Sequence, residues 1–113
     1  MLALLLATGV AEATGSTDAL LQATYEGDAA KVAALLKGGA SARAANAFGA
    51  TPLGEAARRG DVAVLQLLLK AGADPQSTNA EGQTALMVVA RTGNVEAARL
   101  LLQHGARIDA REA

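Results

Sequence analysis

The chain writes one line twice. TPLGEAARRGDVAVLQLLLKAGAD, residues 51–74, returns as TALMVVARTGNVEAARLLLQHGAR, residues 84–107, an offset of 33 residues. A third, weaker copy falls into step when the three are set on Gly27, Gly60 and Gly93. Leu20, Leu53 and Leu86 then coincide, as do Asp28, Asp61 and Asn94, and Leu35, Leu68 and Leu101. Gly39, Gly72 and Gly105 close the copies, each followed by alanine. A fixed period of this length marks a repeat architecture: each unit is a small supersecondary element that cannot bury its own apolar face and must stack on a neighbour.

One unit can be read residue by residue. Thr51-Pro52 opens a helix, with the hydroxyl at the N-cap and proline at the first helical position, where its missing N–H leaves nothing unpaired. That helix is predicted to run to about Arg59, with Gly60 as a left-handed exit. Asp61 caps a second helix that carries Val62, Leu65, Leu68 and Leu69 on one face, and Gly72 ends it. From Ala73 to Gly82, the residues Asp74, Pro75, Asn79 and Gly82 predict an extended finger with a tight turn. The unit is helix, turn, antiparallel helix, finger.

At these positions the chain resembles the ankyrin repeat family. Thr51-Pro52-Leu53, Ala56-Ala57, Gly60-Asp61, Leu67-Leu68-Leu69 and Gly72-Ala73-Asp74 match its line, and Thr84-Ala85-Leu86, Ala90, Gly93-Asn94, Leu100-Leu101-Leu102 and Gly105-Ala106 match it again. Asp18-Ala19-Leu20-Leu21-Gln22-Ala23 lacks the opening and looks like an N-terminal capping repeat. The resemblance covers residues 17–113 and implies an all-α solenoid of helix-turn-helix units with short hairpin-like fingers. The repeats would occupy about 17–45, 46–78 and 79–111, followed by the start of a fourth. The family's histidine after the opening triplet is Gly54 in one copy and Met87 in the next, a departure expected to remove a polar tie and loosen the stack.

The resemblance also implies where partners lie: on the concave side, over finger tips and first helices. In register these positions are Tyr25 and Glu26, Phe48 and Ala50, Arg58 and Arg59, then Glu81, Gln83, Arg91 and Thr92. Arg58, Arg59 and Arg91 beside Tyr25 would make an arginine–aromatic strip suited to carboxylates. The competing reading of each arginine is an ordinary solvated helix face.

Other chemistry is thinly supported. The single histidine, His104, sits at a helix C-terminus, where an imidazole donor is welcome without any catalytic role. Asp28 and Asp61 stand one period apart as equivalent N-caps rather than as a carboxylate pair. There is no cysteine, the glycines fit no phosphate-binding fingerprint, and zinc-ligand spacing is absent. A formal net charge of −1, with no basic run and interleaved aromatics, argues against nucleic acid. No cofactor is expected, and the function expected is non-catalytic binding of a protein or peptide. The alternative is the regulatory or targeting part of a larger, catalytic protein.

The ends carry two further expectations. Leu2 to Val10 is an apolar run followed by Ala11-Glu12-Ala13, the shape of a secretory signal over residues 1–13 but without a preceding basic residue, and too short to span a bilayer. Cleavage would place the protein in the periplasm or outside the cell; a cytoplasmic location is the alternative. The rival reading takes Leu4-Leu5-Leu6-Ala7-Thr8-Gly9 as an earlier, degraded repeat, although Gly9 to Leu20 spans 11 residues where Gly72 to Leu86 spans 14. At the other end Ala113 falls in register with Ala80 and no polar closing repeat follows, so the last face is expected to be open to a partner or to self-association.

Overall fold

The computed structural model describes residues 16–107; the signal-like segment and the start of a fourth repeat lie outside them. Six helices follow in three antiparallel pairs: α1 over 16–26, α2 Ala29–Lys37, α3 Pro52–Arg59, α4 Val62–Lys70, α5 Ala85–Thr92 and α6 Val95–Gln103. The chain is an all-α stack of helix-turn-helix units, as the repeat register predicts.

Local chemistry accounts for the boundaries. The Thr51 hydroxyl accepts from the Gly54 N–H at 3.0 Å, Pro52 stands at the first helical position, and the Thr84 hydroxyl accepts from Met87 at 3.3 Å. The second helices are capped as expected: Asp28 accepts from Lys31 at 3.1 Å, Asp61 from Val64 at 3.2 Å and Asn94 from Ala97 at 3.0 Å. Gly60 leaves α3 at φ 70°, which an L side chain enters only at a cost. This lets the Asp61 N–H reach back to the Ala56 carbonyl at 3.1 Å, and the same bond joins Asp28 to Ala23 and Asn94 to Val89. The six-to-one bond satisfies an orphan carbonyl and turns the chain straight into its next helix. Gly72 lies one residue past the last cap of α4, with Ala71 as C-cap.

The core is built from leucine, valine and alanine. Leu20, Leu65, Leu68, Leu101, Val32, Val64 and Val89 are fully buried, and so are Ala23, Ala56, Ala57 and Ala97. Alanines at the crossings let helix axes approach closely, so thin layers fill without aromatic bulk. α4 lies between α2 and α6, while α3 packs against both α4 and α5. On α4 the buried face is Val64, Leu65, Leu68 and Leu69, with Val62 only half-buried. The extra valine reflects a helix sandwiched on two sides, which buries more than a single stripe.

Polar ties between units replace those expected to be missing at Gly54 and Met87. Arg43 Nε donates to the Gly72 carbonyl at 2.8 Å, and Gln76 Nε2, one period later, donates to the Gly105 carbonyl at 2.8 Å. Asn94 Nδ2 donates to the Gly60 carbonyl at 3.2 Å. Each acceptor sits at a helix end, where carbonyls lack intrahelical partners.

Burial falls towards the last unit. Ala57 is buried but Ala90, its equivalent, is exposed; Leu69 is 5% exposed and Leu102, its equivalent, 42%. Identical residue types at identical register therefore carry unequal energies. We expect Leu69→Ala to destabilise by about 3 kcal/mol and Leu102→Ala by about 1 kcal/mol, measured by urea denaturation of each variant beside the parent.

Candidate binding groove

Two fingers and the first helices of the pairs enclose a groove. Each finger tip is a turn organised by one asparagine. The Asn46 N–H donates to the Ala50 carbonyl at 3.0 Å, and its side-chain oxygen accepts from the N–H groups of Phe48 at 2.9 Å and Ala50 at 3.0 Å. One period later the Asn79 N–H donates to Gln83 O at 2.9 Å, and Asn79 Oδ1 accepts from Glu81 at 3.0 Å and Gln83 at 2.9 Å. A lone antiparallel bridge, Thr78 with Thr84, flanks the second tip. These fingers are hairpin-like but short, because the asparagine side chain does the pairing that a longer ladder would otherwise supply. Gly49 at the first tip faces Ala80 of the second so closely that an added methyl would touch it at 3.7 Å. The tips therefore stack, presenting Phe48 and Glu81 at equivalent places.

The larger recess, of about 460 Å³, runs between the fingers and the helices α3 and α5. Seven of the residues expected on the concave face line it: Phe48, Ala50, Arg58, Glu81, Gln83, Arg91 and Thr92. A smaller recess of about 330 Å³ lies alongside, between α1, the first finger and α3, where Tyr25 and again Ala50 are found. Two expected residues line neither. Glu26 accepts from Gln22 Nε2 at 3.1 Å on its own helix. Arg59 turns towards the preceding unit, its guanidinium so near Gly27 that a methyl built there would sit 3.1 Å from Nη2. Arg58 and Arg59 are neighbours on a helix and so leave it about 100° apart, which splits the supposed strip.

The remaining arginines are engaged. Arg58 forms an ion pair with Glu55, one turn back on α3, with the arginine side chain 70% and the glutamate side chain 12% exposed. The Arg91 guanidinium lies against the Gln83 carboxamide, 3.1 Å from the place its oxygen takes once the amide is turned over. Register placed Asn79 in the finger's turn but passed over its equivalent Asn46, and gave Asp18 and Glu55 no place beside the recesses. For the asparagines the signal was present, since Asn46-Ala47-Phe48-Gly49 and Asn79-Ala80-Glu81-Gly82 repeat one period apart. Glu55 sits three residues before Arg58, the spacing of a same-face helical pair.

Elsewhere His104 is exposed as the C-cap of α6. Among the described residues no group of three His, Cys, Asp or Glu side chains comes together, and no helix is long and apolar enough to cross a membrane.

A family model for ankyrin repeats, in three copies, matches residues 4–112. Repeats of this kind suggest a protein-binding module and are typically non-catalytic. No curated protein matches the chain.

The asparagine turns generate a local expectation. Asn79→Ala leaves two finger amides without their acceptor and destabilises the tip by about 1–2 kcal/mol. Amide exchange at Glu81 and Gln83 should quicken several-fold, while Leu65 and Leu68 on α4 keep their protection, read by hydrogen exchange with NMR detection.

Proposed function

The chain belongs to the ankyrin repeat family, and from that premise we propose that it holds a protein or peptide partner on its concave side, in the groove between fingers and first helices, without chemistry of its own. One observation carries this reading. The sequence has one tyrosine, one phenylalanine and no tryptophan. Both aromatics stand on the groove side rather than in the core: Phe48 is 83% exposed and Tyr25 61%. Large apolar side chains left in water beside a recess are what an interface anchor requires, and a rigid ring orders at small entropic cost on binding.

Peptides selected on the purified protein from a phage-displayed random dodecapeptide library test the reading. Phe48→Ala, at a position too exposed to matter for folding, should weaken the selected peptides by about tenfold or more with an unchanged circular dichroism spectrum. Undiminished binding to that variant would move the interface off the groove.

Export belongs to the same proposal and rests on Leu2 to Val10 followed by Ala11-Glu12-Ala13. The family match begins at residue 4, inside that run, which supports the rival reading of an earlier repeat. Intact-mass measurement on fractionated bacterial cells expressing the native N-terminus separates them. Periplasmic protein lacking residues 1–13 sustains export, whereas full-length protein confined to the cytosol removes it.

The exposed Leu102 and Ala90 on the last pair favour a second use of the stack, self-association through that face. Concentration-dependent sedimentation that is abolished by Leu102→Glu is the expected signature.

A further inference from the structure

We infer that Gly54 opens a notch in the groove wall, and that an aliphatic side chain of the partner segment, of leucine or methionine length, fills it; the inference rests on the groove being the binding face. The two recesses are one site repeated. Each of the seven residues that line the smaller recess has its equivalent, 33 positions on, in the lining of the larger. Asn46 gives way to Asn79, Tyr25 to Arg58, and Leu21 to Gly54. At that last position the third unit has Met87. The middle unit thus lacks the long apolar side chain that both flanking units carry, and its recess is the larger, about 460 Å³ against 330 Å³.

Nothing in the backbone asks for glycine there. Gly54 lies in the first turn of α3 at a negative φ. The cap does not ask for it either. The Met87 N–H donates to the Thr84 hydroxyl at 3.3 Å, as Gly54 donates to Thr51 at 3.0 Å, and Met87 carries a side chain. Glycine within a helix loosens it relative to a residue with a side chain, so the position gives up local stability for room. No neighbour occupies that room. A methyl built on Gly54 would meet the Thr51 hydroxyl at 3.1 Å and, apart from its chain neighbours and its own helix backbone, no other group within 4 Å. Phe48, Ala80 and Val88 line the same recess, and its two guanidiniums, Arg58 and Arg91, are matched by two carboxylates, Glu55 and Glu81. With no net sign to draw an ion, an uncharged side chain enters at the least desolvation cost. Its length is set by the leucine and methionine that stand at this position in the flanking units.

The test uses the full chain and the dodecapeptides selected on it. Those weakened by Phe48→Ala should share one leucine or methionine, and replacing it by alanine in the best peptide should cost about tenfold in affinity. Gly54→Met, which installs the residue of the third unit, should weaken the parent peptide by about tenfold. It should leave the alanine-substituted peptide almost unchanged, because both changes remove the same contact. Gly54→Ala should weaken the parent peptide by about threefold while raising the melting temperature by about 4 °C. Undiminished binding to Gly54→Met, or an aliphatic residue not coupled to position 54, overturns the inference and leaves the groove standing, since Phe48→Ala still weakens those peptides. A lower melting temperature for Gly54→Ala would assign the glycine to the fold and overturns it as well. Peptides that survive Phe48→Ala, or a library yielding none, overturn both readings.

Discussion

A helix pair in this chain cannot cover its own apolar stripe, and everything else follows from that constraint. α4 shows it most plainly: Val64, Leu65, Leu68 and Leu69 are all buried, but only because α2 lies on one side and α6 on the other. Burial is thus a property of the neighbour as much as of the residue. Leu69 and Leu102 make the point, as the same residue at the same register with exposures of 5% and 42%. Stability in such a stack is carried by interfaces between units, and it varies along the array with the number of neighbours.

Packing alone would let units slide, because alanine and leucine surfaces are permissive about register. Directional bonds remove that freedom. Arg43 and Gln76 each donate to the carbonyl beyond the next unit's second helix, and Asn94 donates to the Gly60 carbonyl in the turn of the unit before. These acceptors exist because helices end, and they recur because the helices end at the same place in every copy. These bonds join the units where Gly54 and Met87 stand after the opening triplets.

The same repetition shapes the groove. Once the stacking distance is set, the finger tips fall side by side, Gly49 against Ala80, and the first helices form the opposite wall. A core made of small aliphatic residues has no room for aromatics, and Tyr25 and Phe48 are left on the outside, on the side where the recesses lie. Arg58 finds its partner within the molecule, in Glu55, which lines both recesses.

The period, the caps and the exits were legible in the sequence, since each depends on contacts within a few residues: Thr51 with Gly54, Asp61 with Val64, Gly60 at the turn. The fold class follows from those local rules and the repeat length. The placement of seven of the expected groove residues on the larger recess also follows, because register carries them there. What only the tertiary structure decided is what those side chains do. Arg59 departs towards Gly27, Arg58 is held by Glu55, and Arg91 lies beside the Gln83 carboxamide of the finger. A repeat alignment equates positions, but a side chain's charge is spent on whichever group lies within reach, and that depends on helix azimuth and on the neighbouring unit.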